Sequence, residues 1–168
     1  MNRDVVATLW CALTNRLNLF PMTLILLMAR IGVAMVFWKS GLTKVVTGES
    51  GMWPVFPLQV SDSTFTLFES EYMVPLLPHM LAAWLASLTE LGMSLLLILG
   101  LASRFAAAAL LGMTLVIQVF VYPGNWPDHI FWAAALALIL TRGAGAISLD
   151  ALIASRTGVA ARPQPSQA

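Results

Sequence analysis

Charge and cysteine are both scarce in this chain, and each shortage excludes something. Lys and Arg number 9 and Asp and Glu 8 in 168 residues, for a formal net charge of +1. No basic run is available to neutralise a phosphate backbone, so nucleic acid is excluded as a partner. Cys11 is the only cysteine. An intramolecular disulfide, a C-x-x-C redox pair and a cysteine-ligated iron–sulfur cluster are therefore impossible within the chain. G-x-x-x-x-G-K and G-x-G-x-x-G are absent, and with them the usual fingerprints for nucleotides. A cleavable leader is not expected either. Asp4 lies where a signal needs positive charge, no A-x-A site follows, and bulky Trp10 suits a lipidation site badly. Cys11 then reads as an ordinary apolar-face residue behind a retained N-terminus.

What the chain has in quantity is hydrocarbon. Hydrophobic residues make up 59% and the mean hydropathy is +0.83, which marks a membrane-embedded class rather than a soluble domain. Four stretches are long and apolar enough to cross a bilayer, which takes ~20 residues each. They run from about Met22 to Val45, Met80 to Leu101, Phe105 to Tyr122 and Trp126 to Ile147. Arg142 and the Gly143–Ala146 segment interrupt the last, and Arg142 can snorkel to the headgroups. The expected fold is all-α: an integral membrane four-helix bundle over residues 22–155 with a long outer loop. An N-terminal amphipathic segment (1–21) precedes it and a flexible cytoplasmic tail (156–168) follows.

In the N-terminal segment Val6, Leu9, Trp10, Leu13, Leu17 and Phe20 recur at helical spacing, before Pro21. An interfacial helix and a helix packed on protein are both consistent with that pattern. The connection from Thr47 to Pro78 holds Pro54, Pro57, Pro75 and Pro78, so it is not one continuous helix. Asp62 or Ser63 can cap a short helix presenting Phe65, Phe68 and Tyr72 on one side, a lid over the bundle mouth.

Basic residues set the expected orientation. Arg3, Arg16, Arg104, Arg142, Arg156 and Arg162 gather on one side. Lys39, Lys44 and most of the acids lie on the other. Both termini are thus expected in the cytoplasm of a plasma (inner) membrane. Trp53, Tyr72, Tyr122, Trp126 and Trp132 then form an outer aromatic belt.

Two charges break the apolar runs. Arg30 lies eight residues, ~12 Å, from the inner end of the first span, and Glu90 ten residues, ~15 Å, from the inner end of the second. An intramembrane charge costs at least ~2.5 kcal/mol, so such residues are usually paired and inward-facing. Matching depths predict an Arg30–Glu90 ion pair, either a lock on helix register or part of a functional pocket. Phe37, Gly41 and Lys44 share the Arg30 face. His79, Ala83, Ala86, Ser87 and Ser94 fall on or beside that of Glu90. Lys39 points away from Arg30.

Thr114 and Gln118 share a face of the third span, suited to a helix–helix hydrogen bond. His79 and His129 begin spans on the outer side. They are weak metal candidates, with Asp128 adjacent, against the simpler reading of interfacial histidines. Alanines 106–109 and 133–135 predict close helix approach.

Ala29-Arg30-Ile31-Gly32, Gly41-x-x-Lys44, Glu90-Leu91-Gly92, Gly100-Leu101-x-x-Arg104 and the closing Gly143-Ala-Gly-Ala-Ile-Ser-Leu-Asp150 occur in this order. Together they resemble the DoxX family of small four-span membrane proteins, over about Leu24 to Asp150. Ala146 stands where a basic residue is commoner, and the N-terminal twenty residues and acidic outer loop depart from shorter members. The resemblance implies a subunit of a quinone-linked or stress-related membrane redox complex: no cofactor in the chain itself, but contact with quinone, and a membrane or periplasmic oxidoreductase as partner. The residues expected at such a site are Arg30, Lys44, Glu90, Trp38 and Trp84, with Glu90 and Arg30 the candidates for a catalytic role. The competing expectation is a non-enzymatic anchor or assembly factor recruiting a periplasmic partner through residues 47–78. A small-molecule carrier is the third, disfavoured because no inverted repeat is visible.

Overall fold

The structure of the protein is a computed structural model that describes residues 10, 20–75 and 77–157. Nearly all of the expected N-terminal segment and most of the expected tail lie outside these residues. The described residues are helical apart from loops and two isolated β-bridges.

Helix α1 spans Met22–Leu42. Pro21 precedes it and accepts the first backbone bonds from Leu24 and Ile25, the position where a residue of fixed φ and no N–H costs nothing. A short helix α2, Asp62–Leu67, runs into a wide i→i+5 turn, Phe68–Tyr72. Helix α3, His79–Leu99, ends at Gly100. Gly100 takes a φ of +69° while Leu101 N–H reaches back to Leu96 O, the glycine-terminated arrangement that satisfies orphan carbonyls. Helix α4, Ser103–Val116, continues into a second wide turn, Ile117–Val121. Helix α5 is Trp126–Arg142, and α6 is Leu149–Thr157.

The four long helices pack in a ring, α1 and α4 each lying against both α3 and α5. Among the described residues three stretches are long and apolar enough to cross a membrane: Met22–Leu42, His79–Leu99 and Ser103–Val121. The fourth expected span is shorter than its apolar stretch. Gly143, with a φ of +83°, ends α5 at Arg142 after 17 residues, or about 25 Å.

Two apolar clusters fill the ring. Phe37, Leu97, Ala106, Ala107, Leu110, Leu136 and Ile139 form one, which runs from mid-ring towards the terminal end, the end carrying Met22 and Arg142. Ala106 and Ala107 are fully buried, so the expected close approach at the alanine run is realised there. Val60, Phe68, Ala82, Ala83 and Ala86 pack at the opposite, loop end.

The long connection folds back on itself. Val55 N–H donates to Val46 O, Val46 N–H to Gln59 O, and Gly48 N–H to Trp53 O. It then fastens to the end of α1. Ser61 N–H and Thr64 Oγ1 both donate to the Lys44 carbonyl, at 3.0 Å each. The lid expected from Phe65, Phe68 and Tyr72 is present. Phe68 and Tyr72 meet edge to face, and Phe65 packs on the loop-end cluster.

Candidate functional site

Arg30 and Glu90 do not meet, which corrects the expected pair. Side chains on a helix lean towards that helix's own N-terminus. The helices α1 and α3 are antiparallel: a Cβ at Gly41 would touch Glu90 and Leu91, and one at Gly100 would touch Arg30. Arg30 therefore leans to the terminal end and Glu90 to the loop end. Similar backbone depth does not bring their charged tips together.

Each has a different partner. Arg30, 2% exposed, donates from Nη1 to Ala144 O at 2.7 Å and from Nη2 to Ile147 O at 2.8 Å. It clamps the closing segment that follows α5. Within that segment the Asp150 carboxylate accepts the N–H groups of Ala102 and Ser103 at 2.8 and 3.0 Å, capping the start of α4, where negative charge is favoured. Asp150 N–H in turn donates to Gly100 O. Arg30 is thus part of the architecture of the terminal end.

Glu90 pairs with Lys44. Lys44 Nζ lies 2.8 Å from Glu90 Oε2, and both side chains are buried. The ammonium also donates to Ser40 Oγ at 2.9 Å and Ser40 O at 3.2 Å, so each of its protons has an acceptor. Isolated charges in this environment would cost several kcal/mol each, and this geometry is the kind that offsets the cost.

The pair lies in the wall of a cavity of about 560 Å³ at the loop end of the ring. Val36 and Phe37 of α1, Ala86 of α3 and Met113 of α4 give it apolar sides, and the lid closes over it with Phe68 and Tyr72. At its rim Tyr122 O–H donates to Glu71 Oε1 at 2.9 Å, 3.4 Å from the Tyr72 hydroxyl. Burial and the Tyr122 hydroxyl push the Tyr72 phenol well above its ordinary pKa, which holds it protonated. Both wide turns end at this rim, Phe68–Tyr72 at Tyr72 and Ile117–Val121 just before Tyr122. Such turns are rare and gather at functional sites.

A second polar group faces the cavity from α5. His129, 4% exposed, has Nδ1 at 2.7 Å from Gln118 Oε1. Gln118 Nε2 donates to Pro123 O at 2.9 Å, which fixes the amide orientation and makes His129 Nδ1 the donor. Nε2 is left as the site where the ring can take a proton or a ligand. Trp132 packs against the imidazole with ring centroids 4.9 Å apart.

Of the expected site residues, Lys44 and Glu90 come together in the cavity wall, and Arg30 lies at the other end of the ring. Trp38 packs edge to face on Trp53 at 5.4 Å. Trp84 packs beside the loop-end cluster. Neither lines the cavity. Ala83, Ala86, Ser87 and Ser94 are buried on the Glu90 face as expected, whereas His79 is half-buried and away from the cavity. Among the described residues no three His, Cys, Asp or Glu side chains cluster as metal ligands would. The expected interhelical bond of Gln118 forms, to His129. Thr114 instead bonds Leu110 O of its own helix.

The Tyr72–Tyr122 contact was not foreseen, and His129, expected as a weak metal candidate or an interfacial histidine, was not foreseen as a cavity-wall residue held by Gln118. The signal for His129 lay in Gln118, a polar residue in an apolar span that needs a partner. The tyrosines, fifty residues apart, carried no signal beyond their aromatic character.

A family model described as DoxX matches residues 25–123, a region that takes in Arg30, Lys44, Glu90 and Gln118. No curated protein and no solved structure matches the chain. With more than half of its length matched, the chain belongs to the DoxX family of membrane proteins.

Proposed function

We propose that this DoxX-family protein is a subunit of a membrane redox complex, and that its loop-end cavity holds the head of a quinone. The observation that carries this reading is the Lys44–Glu90 pair: a buried donor and a buried carboxylate, 2.8 Å apart, set in an apolar wall between helices able to cross a membrane. The cavity's 560 Å³ falls within the ~300–1,000 Å³ of small-molecule sites, which are mostly apolar with a few placed polar groups. The residues fit a quinone head. Lys44 can turn one N–H from Ser40 to a carbonyl oxygen, Glu90 can hold or release a proton beside it, and His129 Nε2 offers a second proton site. A bound quinone would supply a two-electron, two-proton acceptor for an oxidoreductase subunit docked on the chain. The protein crosses the plasma (inner) membrane four times with both ends in the cytoplasm, as the arginine distribution argues. The cavity then faces the periplasmic half.

The test is quinone retention and turnover in the native complex. Glu90→Gln and Lys44→Met are expected to lower bound quinone at least tenfold while the complex still assembles. A complex that turns over quinone normally with either substitution would sink the reading.

A second reading has its own observation. Met52, Trp53 and Phe56 at the tip of the connection are 62%, 59% and 80% exposed, and exposed apolar side chains grouped in one loop are the kind of surface a partner covers. In this anchoring role residues 47–78 recruit a periplasmic protein. Replacing residues 50–56 by a Gly-Ser linker then loses a specific partner in pull-down, while Glu90→Gln leaves recruitment intact.

A further inference from the structure

We propose that the cavity is filled sideways from the lipid, through a portal between α3 and α4 rimmed by Leu85 and Val116, and that its ligand therefore carries a long apolar tail. This rests on the cavity being a ligand site, the reading given above.

Leu85 and Val116 are 46% and 38% exposed, yet both line the cavity. A side chain that does both stands at an opening. Leu85 lies fourteen residues before the end of α3 at Leu99, ~21 Å along the axis, and Val116 thirteen residues after the start of α4 at Ser103, ~20 Å, counted from the junction the two helices share. The two are thus level with one another. Both depths fall within stretches long and apolar enough to cross a membrane, where a gap between helices opens onto acyl chains and not onto water. Behind the rim, Thr89 and Met113 line the route inward to Glu90.

A second rim lies at the loop end, where Tyr122, Asn125 and Asp128 are exposed and line the same space. It is narrowed by the lid, which is fastened to Lys44 O through Ser61 and Thr64 and to Tyr122 through Glu71. The rims differ in chemistry: one is polar and faces the loop, the other is purely aliphatic. An ionised water-soluble ligand would lose its hydration at Leu85 and Val116 with nothing in return. A molecule with a polar head and a hydrocarbon tail gains on both counts, its head at Lys44 and Glu90 and its tail left in the bilayer between α3 and α4.

The experiment uses the full chain in phosphatidylcholine nanodiscs and two probes, an isoprenoid-tailed benzoquinone and its tail-less dimethoxy-methyl parent. Leu85→Trp with Val116→Trp, which plugs the gap, is expected to weaken the tailed probe at least tenfold and change the tail-less one by less than about twofold. Leu85→Ala with Val116→Ala, which widens it, keeps both. Unchanged affinity of the tailed probe in the plugged variant overturns the portal, as does equal loss of both probes. A photo-leucine in place of Ala86 gives a readout independent of quinone: light should join it to lipid acyl chains, and the plugged variant should not be labelled. Absence of lipid adducts in the unplugged chain refutes the portal whatever the ligand is. Lipid adducts with no binding of either quinone uphold the portal and sink the quinone reading alone.

Discussion

Lys44 reaches Glu90 from just beyond the end of its helix, and the 2.8 Å contact between them joins three parts of the molecule. Its ammonium holds α3, its Ser40 bonds return to α1, and its carbonyl receives Ser61 and Thr64 from the lid. One residue thus couples the charged wall of the cavity to the segment that covers it.

That coupling predicts a non-additive mutant cycle. Lys44→Met strands a buried carboxylate and Glu90→Leu strands a buried ammonium, each expected to cost about 3–5 kcal/mol. The double variant removes both charges and should recover most of the loss, since apolar residues of similar volume often replace such pairs at little cost. Thermal unfolding of the four proteins in detergent checks this. Additive losses would show that the two side chains do not depend on one another.

Arg30 makes the opposite prediction, because its role is confined to the terminal end. Arg30→Ala frees the carbonyls of Ala144 and Ile147, so hydrogen exchange at amides 145–152 should rise by an order of magnitude or more. Ligand binding in the loop-end cavity should stay within about twofold of the unaltered chain. Arg30→Lys is expected to protect only partly, since one ammonium cannot reproduce the planar fork that spans two carbonyls. Loss of cavity binding in Arg30→Ala would mean the two ends are linked through the core.

The contrast between these residues measures what the sequence could reveal. Helix positions were legible because apolar runs, Pro21, Pro78 and Gly100 each impose a local rule. The inward faces were legible too, and Arg30, Lys44 and Glu90 are all buried as expected. Their pairing was not. Depth counted in residues locates Cα atoms, whereas a long side chain ends several ångströms away in a direction set by the polarity of its helix. The extent of α5 was overestimated for a related reason: Ala144 to Ile147 are apolar enough to continue a span, but Gly143 breaks the helix and Arg30 holds the segment by its carbonyls. The Tyr72–Tyr122 contact depends on two wide turns, for which composition gives no rule.

Gly100 should tolerate no side chain. Its φ of +69° already disfavours an L residue, by roughly 1–2 kcal/mol. A Cβ would also stand 2.6 Å from Ser148 Cβ and 2.7 Å from Arg30 Nη1. Gly100→Ala is therefore expected to lower stability by more than the backbone term alone. Gly112, whose Cβ would meet nothing within 4 Å, should accept alanine with little change. Melting temperatures of the two variants compare them directly, and equal values would contradict the tight junction of α3, Arg30 and Ser148.

Tyr72 carries the pH dependence. Burial first, and then the Tyr122 hydroxyl, hold its phenol protonated beyond the ordinary range. A group whose folded pKa is raised contributes stability that is complete below its unfolded value, about 10 for tyrosine, and is lost as pH rises through the folded one. The lid contact should therefore be indifferent to pH across the neutral range and weaken only above about pH 10. Ultraviolet difference titration should show a phenol step displaced above the ordinary tyrosine range, and Tyr72→Phe should remove that late step. The same substitution should also flatten the decline in stability on the alkaline side, because the proton whose binding favours the folded state is gone. If no late step appeared, Tyr72 would be open to water and the lid would not be seated on Tyr122.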